Sequence, residues 1–199
     1  MSKDFFEALM ERRSDYGISS QEVVPYEKLR EVIDFGVKHT PTAFNSQGGR
    51  VALLLGEHHD KLWDITLEQL RKIVPADKFE ETNKKIQSFK AGFGTILFFD
   101  DESVVKGLQE SFPIFKDNFP TWAQQANGML QLVIWTGLRQ IGYGASLQHY
   151  NELIEDAVRE SFSIEPSWKM VAQMPFGKPG TEMKEKAFEP VDKRIVVYK

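Results

Sequence analysis

The sequence predicts an α+β domain. Three observations carry that expectation: long amphipathic segments of helical period, short apolar runs bounded by glycines or acids, and several helices between one such run and the next. At 199 residues, 41% hydrophobic and 27% charged, the chain has the makeup of a soluble globular protein, and 1–199 reads as one domain.

Residues 3–13 read as a first helix with Phe5, Phe6, Leu9 and Met10 on one face, ended by Tyr16-Gly17-Ile18-Ser19-Ser20. Pro25 opens a second helix to about Lys38, with Leu29, Val32, Ile33 and Val37 at core spacing; a first-turn proline forfeits no helical bond. Arg50 to Leu55, between Gly48-Gly49 and Gly56, has the form of a buried strand. Helices follow over 58–74 and 77–89, split by Pro75, and Gly94 to Phe99 is the next strand, stopped by Asp100-Asp101. After a short helix over 102–110, Phe112 to Pro120 is too Pro-broken for regular structure and too aromatic to be left in water.

The longest period is 121–141. Trp122, Ala126, Met129, Leu130, Val133, Ile134, Gly137, Leu138 and Ile141 keep helical spacing, while Leu132 and Trp135 fall off the stripe. A helix apolar on most sides is buried in a core or between subunits. Gly142-Tyr143-Gly144 leads to a strand or turn ending at Leu147, a helix over 150–159 and a strand from Trp168 to Met174. Residues 175–192 read as a Pro/Gly/Lys-rich arm, and Arg194 to Tyr198 as a last strand.

A net charge of −4 supplies no basic field for nucleic acid or a membrane surface. The absence of Cys removes disulfides, thiolate metal sites, iron–sulfur clusters and thiol redox chemistry, and suits a cytoplasmic protein. No apolar run approaches membrane-spanning length, and the N-terminus has no signal-peptide core. His58-His59 lacks a His-Glu-x-x-His context, so these read as exposed or capping histidines and no metal site is expected. Gly92-Phe93-Gly94 precedes a strand and is no dinucleotide fingerprint.

Two segments carry the functional signal. Arg12-Arg13-Ser14 puts two guanidiniums and a hydroxyl at a helix end, and Thr40-Pro41-Thr42-Ala43-Phe44-Asn45-Ser46-Gln47 is a polar loop with two side-chain amides. Guanidiniums bind phosphate through forked, charge-assisted bonds, and amides match the edge of a heteroaromatic ring. Together they point to a flat cofactor with a phosphate tail, for which FMN is the best fit. Alone, each has an ordinary explanation: helix-dipole pairing for the arginines, a connector for the loop.

In this order, with the central helix and Gly142-Tyr143-Gly144 between them, the motifs resemble the FMN-dependent nitroreductase family. The similarity is to its shorter subgroup with a Leu-Gln-His-Tyr-Asn segment, here Leu147-Gln148-His149-Tyr150-Asn151. The resemblance implies a mostly antiparallel sheet flanked by helices, in an obligate homodimer with 121–141 at the interface and an exchanged C-terminal arm. It implies that Arg12 and Ser14, with Arg13 nearby, hold the FMN phosphate and ribityl end. Lys184 and Lys186 would close on the phosphate from the arm. Pro41, Thr42, Ala43, Asn45 and Gln47 would reach the flavin across the interface, and Leu147, Gln148 and His149 would lie over the ring. Tyr16 stands where many relatives have a cation near the pyrimidine edge, which bears on the potential more than on binding. No side chain is expected to be a covalent catalyst. The implied activity is ping-pong transfer from NADH or NADPH through FMN to a nitroaromatic, quinone or similar small-molecule acceptor. The rival expectation is a flavin- or lipid-ligand-binding regulatory protein with little turnover, in which Phe112–Phe119 closes an apolar cavity. A purely structural partner protein would bind no chromophore.

Overall fold

The computed structural model describes residues 4–180 and 185–199. Five strands and seven α-helices occur among them, in the order α1 (Phe5–Glu11), β1 (Ile18–Ser19), α2 (Tyr26–His39), β2 (Gly49–Leu55), α3 (Glu57–Arg71), α4 (Phe79–Lys90), β3 (Gly94–Asp101), α5 (Glu102–Ser111), α6 (Phe119–Gln140), β4 (Gly144–Ala145), α7 (Asn151–Phe162) and β5 (Trp168–Pro179). The sheet runs β1-β5-β3-β2 with β4 also on β5, and every pairing between these strands is antiparallel. The α+β expectation and the antiparallel sheet both hold.

Central strand β3 is buried on both faces, and alternation divides its side chains between two cores. Ile96 and Phe98 face α2 and α6 with Leu29, Ile33, Leu130, Ile134 and Met174. Leu97 and Phe99 face the other way, against Leu62, Trp63, Ile86, Phe89 and Ile154 from α3, α4 and α7. A bulge opposite Phe98/Phe99 shifts the β5 register, which turns Met170 into the second core. Helix α6 crosses α2 closely enough that a Cβ on Gly36 would stand 2.5 Å from Ile134 Cγ1.

Four expectations need correction. Strand β5 runs on to Pro179 instead of giving way to an arm at 175. Gly177 reads as a breaker but is required there, since a Cβ would meet the Ser19 carbonyl oxygen at 2.4 Å. The last strand, 194–198, is not formed: a 3-10 turn at Val191–Lys193 leads into exposed chain, and among the described residues no strand takes the backbone bonds of 195–198. His59 is buried, 2% exposed, while His58 is exposed. His59 lies on the stripe of Leu62, Trp63, Thr66 and Leu70, the buried face of α3, a periodic signal already present in the sequence. The Phe112–Pro120 segment is also more regular than expected: a 3-10 turn at Pro113–Phe115 is followed by α6, whose first turn contains Pro120. Among the described residues no helix is long and apolar enough to cross a membrane.

Candidate functional site

The arginine segment sits where α1 ends against α6. The Arg12 N–H closes the helix on the Ala8 carbonyl at 2.8 Å, and its guanidinium lies 4.3 Å from the centroid of the Trp135 ring. Arg13 is turned back on α1, its Nη1 donating to the Met10 carbonyl and, at 2.9 Å, to that of Arg12. The two adjacent cations therefore do different work: Arg13 caps the helix and Arg12 covers an aromatic face. The Nε atoms of both are buried without a hydrogen-bond partner among the described residues. Burial first, and the charge of Arg13 second, lowers the Arg12 pKa from its ordinary value. An anion placed here would relieve both.

Ser14 bridges Ala145 in parallel, and the Asp15 N–H donates to the Ala145 carbonyl at 2.9 Å. This pairing brings the Arg-Arg-Ser segment beside the strand that continues into Leu147–His149. Asp15 is buried, which raises its pKa, opposed by a Gly17 backbone hydrogen bond and by the charge of Arg139. Arg139 in turn pairs with Glu11 at 3.2 Å. Trp135 reads in the sequence only as an apolar residue off the α6 stripe, and Asp15 and Arg139 escape the sequence reading, because helical and strand periodicity assign a residue to a face but not to a neighbour. Tyr16 is exposed, its ring centroid 6.5 Å from that of Phe89.

Along 146–150 the backbone bonds alternate. Ser146 N–H donates to the Pro175 carbonyl at 3.2 Å and Gln148 N–H to that of Gln173 at 2.7 Å. Among the described residues, no backbone partner is found for the N–H groups of Leu147 and His149, which an extended chain directs to the opposite side. The Gln148 side chain is buried and bonds the Ser146 hydroxyl at 3.1 Å. The His149 side chain is exposed.

The loop Pro41–Gln47 is held tightly. Gln47 N–H donates to Thr42 Oγ1 at 2.9 Å, and Phe44, Asn45 and Gln47 all take positive φ, at 58°, 51° and 52°. Such left-handed conformations cost non-glycine residues energy and persist only where surroundings impose them. The restraint is Arg50, which donates to the Gln47 carbonyl at 2.7 Å and pairs with Asp101 at 2.9 Å. Pro41, Thr42, Ala43 and Phe44 line a shallow apolar groove with Trp122, Ala126 and Met129. Phe44 packs among Phe112, Phe115, Phe119 and Trp122 with ring centroids 4.7–6.3 Å away.

Within one chain the loop is far from the arginines. It rests on Trp122, while Arg12 rests on Trp135, about 20 Å further along α6 at ~1.5 Å per residue. The chain thus joins Arg12, Arg13 and Ser14 with the strand that leads into Leu147, Gln148 and His149, leaves Tyr16 against Phe89, and leaves Pro41, Thr42, Ala43, Asn45 and Gln47 apart. Lys184 lies outside the described residues. Lys186 is exposed, its Nζ 5.3 Å from the Phe188 ring centroid. Lys90, next in sequence to the Phe89 that Tyr16 packs against, is paired with Asp64 at 2.6 Å.

A sequence profile described as the nitroreductase family matches residues 9–178. The chain belongs to the nitroreductase family. It is 31% identical over 198 residues to nitroreductase FRM2 of Saccharomyces cerevisiae, covering 98% of this chain and 97% of that protein. The fold of this nitroreductase-family chain matches that of nitroreductase CinD from Lactococcus lactis in complex with chloramphenicol at TM-score 0.90 and 41% identity, over 98% of this chain and 100% of that one. The same protein in complex with 4-nitrophenol matches at TM-score 0.89, 41% identity and the same coverage. Family and fold together support a flavin-dependent oxidoreductase.

Proposed function

We propose that the chain is an FMN-dependent NAD(P)H oxidoreductase of nitroaromatics, quinones or similar electron-poor acceptors. The observation that carries this reading is the juxtaposition of Arg12, whose buried Nε finds no partner among the described residues, and a strand whose Leu147 and His149 N–H groups find no backbone partner there either. The residues fit the cofactor: a cation stacked on Trp135 suits a phosphate, and outward N–H donors suit a ring nitrogen. Arg12 and Ser14 would hold the phosphate and ribityl end, joined by Lys184 and Lys186 from the arm, while Tyr16 would stand at the pyrimidine edge. Bound FMN supplies the hydride chemistry, which no side chain of this protein provides. The His149 N–H, flanked by bonded neighbours, would orient the ring and stabilise charge that develops on it. In the ping-pong order, NADH or NADPH donates and leaves before the acceptor occupies the same space. Chloramphenicol and 4-nitrophenol, bound by the relative from Lactococcus lactis, set the chemical class of acceptor we propose.

A second copy completes the site. Gln125, Gly128, Met129 and Leu132 form an exposed face on α6, and nothing stands within 4 Å of a Cβ added to Gly128. Two α6 helices packed antiparallel on that face about a two-fold would set the Pro41–Gln47 loop of one chain against the Arg12 end of the other. The exposed Ile195, Val196, Val197 and Tyr198 would then exchange onto the partner, whose β2 edge opens on a groove of about 1010 Å³ lined in part by Val51, Leu53 and Leu55. We place this homodimer in the cytoplasm, consistent with the Cys-free composition. The exposed aromatic cluster around Phe44 favours one rival, a flavin- or lipid-binding regulatory protein. The absorbance spectrum of purified protein, followed by anaerobic NADH or NADPH, separates them. A flavin band that bleaches within seconds and returns with a nitroaromatic is expected; a band that neither donor bleaches would favour the rival, and a protein colourless even with added FMN would end both.

A further inference from the structure

We propose that Gln173 is the positioning residue of this site: its side-chain amide clamps the backbone beyond His149 and so fixes the direction of the His149 N–H. The inference rests on the flavin reading above. Gln173 lies on β5 and is wholly buried, between the apolar Ala172 and Met174. A polar side chain in such a place is costly unless its bonds are returned.

They are returned in one place. The backbone of Gln173 exchanges both bonds with Gln148, at 2.7 and 2.9 Å. Its Oε1 accepts the Tyr150 N–H at 2.8 Å, and its Nε2 donates to Asn151 Oδ1 at 2.6 Å, with Met170 Sδ at 3.1 Å. Asn151 Nδ2 closes the clasp on the Val171 carbonyl at 2.8 Å. Past Gln148 the chain leaves the ladder, because Tyr150 turns out of extended geometry to open α7. No backbone group of β5 is paired with the Tyr150 N–H, so the amide of Gln173 extends the ladder by one bond. With the N–H groups of Gln148 and Tyr150 both held toward β5, that of His149 between them points away.

The role requires an acceptor and a donor on one side chain. Glutamine has both, methionine has neither, and glutamate has both only when protonated. The test compares wild type with Gln173→Met and Gln173→Glu in two readouts. One is amide exchange of the flavin-free proteins over 146–151, with 94–99 as the reference strand. The other is FMN affinity and absorbance band shape. Gln173→Met is expected to speed exchange at 146–151 about tenfold with 94–99 unchanged, weaken FMN about tenfold and alter the band, with the KM for the nicotinamide unchanged. Gln173→Glu, whose carboxylate still accepts the Tyr150 N–H but has no donor for Asn151, should fall between wild type and Gln173→Met at about pH 8 and move toward wild type at about pH 5, as the buried carboxyl regains its proton. Should Gln173→Met fail to fold, Asn151→Ala, which cuts the outer half of the clasp, must shift both readouts in the same direction. Equal exchange, affinity and band shape in wild type and Gln173→Met would overturn the assignment. A wild type that takes up no FMN would overturn the flavin reading, while the exchange comparison would still decide the clamp.

Discussion

Replacing Arg12 with Ala removes a guanidinium that is stacked on Trp135 at 4.3 Å and whose buried Nε has no hydrogen-bond partner among the described residues. A charge-assisted hydrogen bond to phosphate contributes about 1.5–3 kcal/mol, and each ~1.4 kcal/mol is tenfold in affinity. Arg12→Ala is therefore expected to weaken FMN binding by about 10- to 150-fold. Loss of the stacked contact costs the fold separately, by about 0.5–2 kcal/mol, since the pair is partly buried. Fluorescence titration of the flavin-free protein separates the effects if riboflavin, which has no phosphate, is titrated alongside FMN. The expectation is a large loss for FMN and little change for riboflavin. An equal loss for both would mean that Arg12 acts only through packing, and retention of full FMN affinity would refute the phosphate assignment outright.

Other expectations follow from the same geometry. His59 accepts from the Thr95 hydroxyl at Nδ1 (2.9 Å) and donates from Nε2 to the Lys90 carbonyl (3.1 Å), while Trp63 Nε1 donates to Thr95 Oγ1 at 3.0 Å. Only the neutral ring completes that chain of bonds, and burial lowers its pKa from 6.5. The unfolded chain takes the proton first, so stability is full above about pH 6.5. Below it, stability falls by up to ~1.4 kcal/mol per pH unit until the folded value is reached. Urea midpoints measured between pH 7 and pH 5 should fall in wild type and fall less in His59→Gln; parallel profiles would remove His59 as the cause. Leu132→Asp, on the exposed face of α6, is expected to shift the assembly to monomer by sedimentation and to lower flavin content with it, since an unpaired charge at an interface core costs several kcal/mol (roughly 3–5). A monomer retaining full flavin content would show that the loop of a second copy is dispensable.

Much of the architecture is legible in residue spacing. The stripe of α6, the proline at the opening of α2, and the apolar runs of β2 and β3 are local signals, since period and backbone chemistry act over a few residues. Where the expectation failed, a non-local partner decided. Gly177 breaks an isolated strand but fits where Ser19 approaches, so β5 continued. Residues 194–198 have strand composition, yet within one chain they stay exposed and pair with no strand among the described residues. Arg12 and Arg13 are indistinguishable in sequence; the end of α1 takes one as a cap, and the Trp135 ring takes the other.

The sequence by itself determined the helices and central strands, the absence of thiol chemistry, and the residue types of the site we propose for a phosphate and a ring. Tertiary structure alone decided that Ser14 lies beside Ala145, that Gln173 reaches Tyr150, and that the Pro41–Gln47 loop stands at the far end of α6 from Arg12. The reason is physical. Periodicity follows from backbone geometry within one element, whereas a site is made where elements meet, and that meeting is set by the packing of side chains far apart in the chain.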